Sequence, residues 1–319
     1  MKRSPLKGVG KNTTMKAKPF LKWAGGKGRL LPQFRSYYPQ ALQTGEITRY
    51  IEPFLGAGAV FLDVAQRFPA LQKAYLFDIN AQLILAYHVI KESPDALIEA
   101  LSDLSERYLS RQEPARKEFY YQIRHQYNNG HHHLDDHTQS TARVHAAAQM
   151  LFLNKTCYNG LFRVNSKGEF NVPYGKYTHP CLVNPDNLTR VSELLQIAEV
   201  RVGDFTASQD VLTDDSFVYF DPPYRPISKT SRFTSYAGQV FGDDDQRRLG
   251  NYYRHLAQNS RAKLMLSNSD PQNEKADDYF FDDLYNGFEI KRVNASRAIN
   301  SNPQKRGQIT ELLVLNYSR

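Results

Sequence analysis

The residues best equipped for chemistry stand in the stretch "VYFDPPYRPI", Val218 to Ile227, where an apolar run ends in an acid, two prolines and a tyrosine. Proline lacks a backbone N–H and fixes φ, so a buried strand must stop at Pro222 and Pro223. The Asp221 carboxylate and the Pro222 carbonyl then become two rigid acceptors at the strand's tip. An exocyclic amine such as N6 of adenine offers two N–H groups in one plane, with its lone pair delocalised into the ring. Two fixed acceptors on those hydrogens favour rehybridisation and stabilise the positive charge that develops on the nitrogen. Tyr224 adds a flat face for an unstacked base. Asp221, Pro222, Pro223 and Tyr224 therefore form a candidate catalytic group for methyl transfer to an amine, although Asp-Pro-Pro also serves as a plain turn.

A second motif, "EPFLGAGAVF", sets Gly56 and Gly58 between a short strand and a helix. Glycine lets such a turn tighten and lets a ligand approach the backbone where helix N–H groups point outward. Asp78 ends the following strand 20 residues after Gly58, the place of an acid that accepts from ribose hydroxyls. A nucleoside ligand is favoured over an ordinary strand-to-helix turn. The absence of a third glycine weakens a nicotinamide dinucleotide reading, and "AGGKGR" lacks the leading glycine and final hydroxyl of a P-loop. S-adenosylmethionine fits better, with its ribose on Asp78 and its charged amino-acid end among polar groups. Ligands of open parallel sheets bind at the carboxyl ends of the strands, so the glycine turn and the Asp221 tip are expected side by side.

The elements that must position these residues follow from periodicity. "EITRYIEPFLGAGAVFLDVAQRF", as a short strand, a glycine turn and an amphipathic helix, and "KAYLFDIN", as a second strand, read as a β-α-β unit, which implies a parallel sheet with right-handed crossovers. From Ala81 the pattern is helical through "AQLILAYHVIKE", "DALIEALSDLSERYL", "RKEFYYQIRHQY" and "ARVHAAAQMLFLNK". The β/α alternation returns with "EVRVGDF", "SFVYFDPPY", a helix around "DDDQRRLGNYYRHLAQ", and "AKLMLSNS", "FEIKRVNA" and "ITELLVLNY". The expected fold class is thus α/β: a Rossmann-like sheet in residues 19–80 and 184–319, split by a mainly helical insertion at 81–183.

The 319 residues carry a net charge of +8, but the first 18 hold six basic residues and no acid, so most of the excess belongs to a flexible basic tail. No apolar run reaches the ~20 residues of a membrane span, and a cytoplasmic protein is expected. Cys157 and Cys181 lack zinc-site spacing, and no metal is expected. His131, His132 and His133, with His125 and His137, sit among Asn128, Asn129, Gly130, Asp135 and Asp136 and read as a solvated loop.

In these motifs the chain resembles the Dam-type DNA adenine-N6 methyltransferases, over most of its length. "FLKWAGGKGRLLP", "EPFLGAGAVF", "FDIN", "VGDF" and "DPPY" match that family's motifs in order, and "LNKTCYNGLFRVNSKGEFNVPYGKY" resembles its target-recognition signature. The resemblance implies transfer of a methyl group from S-adenosylmethionine to N6 of adenine in double-stranded DNA, within GATC, by base flipping. It places Trp23, Lys27, Asp78 and Asp221 on the cofactor, with Phe54, Asp204 and Phe205 as further pocket positions. Lys22 resembles the lysine that reads the first guanine. Asn159, Leu161, Arg163 and Pro173 match recognition-hairpin positions, and Tyr158 the aromatic that enters the duplex. Such chemistry is sensible, since arginine binds guanine O6 and N7 bidentately and leucine meets a thymine methyl. Lys176 stands where some members have arginine and keeps the charge without the planar fork. Arg232, Arg292 and Arg297 lie in loops that resemble DNA-facing ones. A partner restriction endonuclease acting on the same site is one implied arrangement, and solitary action in replication or repair is the other. Rival readings are the same fold acting on cytosine N4 or RNA, and a DNA-binding module without catalysis.

Overall fold

A computed structural model describes residues 16–130, 140–225, 241–296 and 308–318. Seven strands form one sheet: β1 (Arg49–Glu52), β2 (Lys73–Asp78), β3 (Ala198–Val202), β4 (Ser216–Phe220), β5 (Lys263–Ser269), β6 (Glu289–Ser296) and β7 (Gln308–Leu315), in the order β3-β2-β1-β4-β5-β7-β6. Strands β1 to β5 are parallel. The chain leaves β1 towards β2 and β3 on one side and re-enters as β4 on the other, so β1 and β4 flank the topological switch point, with Ile51 opposite Val218.

This is the Rossmann-like α/β architecture the alternation of strand and helix patterns implies, with one departure. β7 runs antiparallel between β5 and β6, so the last two strands close the sheet as a hairpin rather than by parallel crossover. Their lengths match at eight residues each, and a hairpin needs no intervening helix. All five residues of β4 are buried, which explains its unbroken apolar run.

The helices Ala81–Glu92, Pro94–Leu109, Ala115–Gly130 and Ser140–Thr156 fall where the 3.6-residue pattern sets them. Asn128, Asn129 and Gly130 differ from expectation by completing the third of these helices. Tertiary bonds outweigh their loop composition: Asn128 donates Nδ2–H to Phe170 O at 3.1 Å and accepts the Phe170 N–H at 2.8 Å. The expected loop at His131–His133 and His137 lies outside the described residues, as do residues 1–15 of the basic tail. A further helix, Pro185–Leu195, went unread despite clear signals. Asn184 caps it by accepting the Asn187 N–H, Pro185 opens it, and Leu188, Val191 and Leu195 repeat at helical spacing. It packs against the helices Ala81–Glu92 and Pro94–Leu109, so one apolar core runs from the sheet into the helical region. Among the described residues no helix is long and apolar enough to cross a membrane.

Candidate active site

The glycine turn is built by its neighbours. Gly56 and Gly58 both take positive φ, +48° and +65°, a conformation costly for residues with a Cβ. Asp78 fastens the turn to the end of β2: its Oδ2 accepts the Gly56 N–H and its Oδ1 the Asn80 N–H, each at 2.9 Å. Burial pushes the Asp78 carboxyl up, and those N–H groups pull it partly back. Tyr87, on the helix Ala81–Glu92, donates its hydroxyl to Gly56 O at 3.0 Å. A Cβ on Gly58 would meet that hydroxyl at 2.6 Å, and one on Gly56 would meet the Trp23 ring at 2.9 Å. Both glycines are therefore required sterically as well as by φ.

The Asp221 tip follows β4 directly. Gln246 donates Nε2–H to Pro223 O at 3.0 Å and accepts from Asn268 Nδ2 at 3.1 Å, which pins the second proline to β5 and the helix Asp243–Asn259. Ser267 donates to Asp221 Oδ1 at 3.0 Å and is itself hydrogen-bonded to the Tyr219 hydroxyl at 2.7 Å. Lys27, 2% exposed, lays Nζ 2.7 Å from that same Oδ1 and also donates to Tyr224 Oη at 3.0 Å and Gly25 O at 2.9 Å. Both contacts of Asp221 thus fall on Oδ1, and no described residue engages Oδ2. Burial pushes Asp221 above the usual carboxylate range, with Lys27 and Ser267 opposing it. Burial would lower Lys27, but Asp221, Tyr224 and Glu311 hold it above its ordinary value.

Turn and tip open onto one cavity of roughly 330 Å³. Trp23, Lys27, Phe54, Gly56, Gly58, Asp78, Asp204, Phe205 and the tip from Asp221 to Tyr224 all line it. Phe54 stacks on Phe205 at 5.5 Å, and the Phe241 ring meets Phe54 edge-on at 5.8 Å, giving an aromatic wall. Asp204 is already partnered: Arg248 donates to both its oxygens at 3.0 and 2.8 Å and lies 4.2 Å over the Phe205 ring. Burial would raise the Asp204 carboxyl, yet Arg248 and Thr206 hold it below its ordinary value. Glu52, Tyr87 and Ser267 are among the lining or supporting residues that escaped the sequence reading. Glu52 ends β1, is 2% exposed, and accepts the Tyr50 hydroxyl at 2.8 Å and the Phe61 N–H at 3.1 Å on Oε2. Burial lifts its carboxyl well above the ordinary range. Its signal was available, an acid closing an apolar strand just before the turn; Tyr87 and Ser267 carried none, because only tertiary contact brings them in.

The recognition stretch forms an irregular hairpin, bridged at Cys157–Tyr174 and Val164–Phe170. The predicted DNA residues, Lys22 ahead of the sheet and Tyr158, Asn159, Leu161, Arg163, Pro173 and Lys176 in this stretch, are all exposed. Asn159 and Lys176 hold positive φ, 59° and 55°. Arg163 donates Nε–H to Asn171 Oδ1 at 2.7 Å, which leaves part of its fork free. Arg292 instead pairs with Asp270 and Asp282, each at 2.9 Å, while Arg232 and Arg297 lie outside the described residues. Hairpin and cavity meet at two neighbouring residues. Asn154, 1% exposed, accepts the Lys22 N–H and donates to Lys22 O, both at 2.8 Å, and to Gly160 O at 3.1 Å. The Trp23 ring, beside Gly56, stacks on Phe162 of the hairpin at 5.4 Å.

Comparison with known proteins identifies the family. A family model for the D12 class N6 adenine-specific DNA methyltransferases matches residues 23–299. The chain is 49% identical to the type II methyltransferase M.MjaIII of Methanocaldococcus jannaschii over 304 residues, covering 95% of this chain and 100% of that one. It is 35% identical to the type II methyltransferase M1.LlaDCHI of Lactococcus lactis subsp. cremoris, over 94% of this chain and 95% of the relative. It is 34% identical to the DNA adenine methylase of Haemophilus influenzae, over 94% of both chains. The chain belongs to the D12 class of N6 adenine-specific DNA methyltransferases, and is an enzyme that places methyl groups on adenine in DNA.

Proposed function

We propose that the enzyme takes its methyl group from S-adenosylmethionine and delivers it to an adenine swung out of a GATC duplex. The observation that carries this reading is the meeting of the Asp221 tip and the Asp78-locked glycine turn on one cavity. The residues fit the donor. Asp78 has lone pairs left for ribose hydroxyls, the wall of Phe54 and Phe205 suits an adenine face, and Glu52 suits an ammonium. When bound, the donor supplies an electrophilic methyl on sulfonium sulfur, whose carbon–sulfur bond breaks to leave a neutral thioether as the bond to nitrogen forms.

The chain's own groups do the rest. Asp221 Oδ2 and the Pro222 carbonyl accept the two N6 hydrogens and draw the lone pair out of the ring. Tyr224, 38% exposed, offers its face to the flipped base. Asp221 is the nearest base for the proton that N6 sheds after transfer. We assign residues 81–183 to target recognition, with Lys22, Tyr158, Asn159, Leu161, Arg163, Pro173 and Lys176 on the duplex. Tyr158 and Leu161, 55% and 37% exposed, are apolar prongs suited to a parted base step. The relatives named type II methyltransferases favour a companion nuclease that cuts the same unmethylated sequence.

The test is incubation of unmethylated plasmid with enzyme and donor, followed by nucleases of opposite sensitivity to methyl-adenine in GATC. Acquired resistance to the one and susceptibility to the other is expected. Label incorporated only at cytosine, or at a different sequence, would reject the assignment.

A further inference from the structure

Glu311 stands in the middle of β7, outside the cavity lining, and no step above uses it. Its side chain is 13% exposed, and its Oε2 is buried without a hydrogen bond among the described residues, 3.7 Å from Lys27 Nζ. Glu311 pairs with Ser269 and Leu313 with Ser267, so the period of two sets Glu311 on the sheet face from which Ser267 reaches Asp221. One ammonium is thus shared by two carboxylates, one from the tip of β4 and one from the antiparallel strand. Taking a carboxylate out of water is costly unless a cation or hydrogen bonds compensate, and the Lys27 ammonium and the Tyr224 hydroxyl are the groups that hold Glu311.

We infer that Glu311 is a positioning residue for methyl transfer, sharing the Lys27 ammonium so that Lys27 orders Asp221 without cancelling the negative charge of the tip. The inference rests on the reading of Asp221 as the acceptor of the adenine amine. Lys27 and Asp221 alone would make a neutral pair, a weak partner for a nitrogen that turns cationic as its lone pair bonds carbon. Glu311 brings the group of three to one net negative charge and draws the ammonium towards β7. Asp221 Oδ2 is left to face the base. The burial of all three groups makes this charge count effective, because little water is present to screen it.

The experiment measures single-turnover transfer of labelled methyl to a GATC duplex by the full-length enzyme at saturating donor and DNA. Variants Glu311→Gln, Glu311→Asp and Asp221→Ala are compared, with melting and binding measured alongside. Glu311→Gln keeps the shape and removes the charge, and is expected to slow transfer about tenfold or more while both dissociation constants stay within about twofold. Glu311→Asp keeps the charge and is expected to recover most of the rate. Should the glutamine variant fail to fold, Glu311→Met fills the same volume without charge and carries the same expectation. Wild-type rates in Glu311→Gln or Glu311→Met beside an inactive Asp221→Ala would overturn the role of Glu311 and leave the site's reading standing. A fully active Asp221→Ala would overturn that reading and the inference together.

Discussion

At the scale of single residues, the chemistry turns on which oxygen of Asp221 is free. Ser267 and Lys27 both occupy Oδ1, and both oppose the upward push that burial gives the carboxyl. A protonated Asp221 cannot accept from the amine as a carboxylate does, so methyl transfer should fall on the acid side, through a midpoint above the ordinary carboxylate value. Replacing Ser267 by alanine removes one opposing hydrogen bond and raises the Asp221 pKa further. The acid limb of the kcat profile should therefore move to higher pH in Ser267→Ala; an unmoved or lowered limb would contradict the assignment. Gly58 offers a steric test. Gly58→Ala meets both the positive φ and the Tyr87 hydroxyl at 2.6 Å, and should cost about 2 kcal/mol of stability and weaken donor binding, as melting and titration would show. Adding Tyr87→Phe should return part of the loss. The glycines, Asp78 and the Asp221 tip were legible because their chemistry is local in sequence. Lys27 on Asp221, at a separation of 194 residues, was not.

Elements set the reach of the site. The helix Ser140–Thr156 is mostly apolar, and its one buried amide, Asn154, spends its hydrogen bonds on Lys22 and Gly160. It ties the segment that enters the cavity to the turn of the hairpin proposed for target recognition. Gly160 is part of the same fit, since a Cβ there would run into the Lys22 side chain at 2.1 Å. Asn154→Ala leaves the Lys22 N–H and two carbonyls without their partner and should cost about 2–3 kcal/mol, measured by chemical denaturation. Affinity for GATC duplex should drop more than affinity for the donor. Nothing in the residue order marked Asn154, because an asparagine inside an apolar helix pattern reads as a blemish until its partners are placed. The hairpin itself was visible from its glycines and basic residues, whereas Pro185–Leu195 was overlooked although its cap and leucine spacing were there to be counted.

For the whole molecule, strand order does the decisive work. β1 and β4 are neighbours at the switch point, so two motifs 165 residues apart, starting at Gly56 and Asp221, emerge at one cavity. Parallel strands with their helices were legible from periodicity. The antiparallel entry of β7 was not, since an alternating apolar strand looks alike in either direction. That reversal is what delivers Glu311 to the back of Lys27. Bulk charge was a poor guide: most of the excess belongs to a short segment ahead of the sheet, while the exposed cations proposed to meet DNA, such as Arg163 and Lys176, are set by the hairpin. Methyl transfer by this site requires that the tip receive the target base. The most direct measurement is a crystal structure of the enzyme with S-adenosylhomocysteine and a GATC duplex. An unstacked adenine against Tyr224 is expected, with N6 about 2.6–3.2 Å from Asp221 Oδ2 and from the Pro222 carbonyl. An adenine still stacked in the duplex, or one extruded into another part of the surface while Asp221 meets only Lys27 and Ser267, would contradict it.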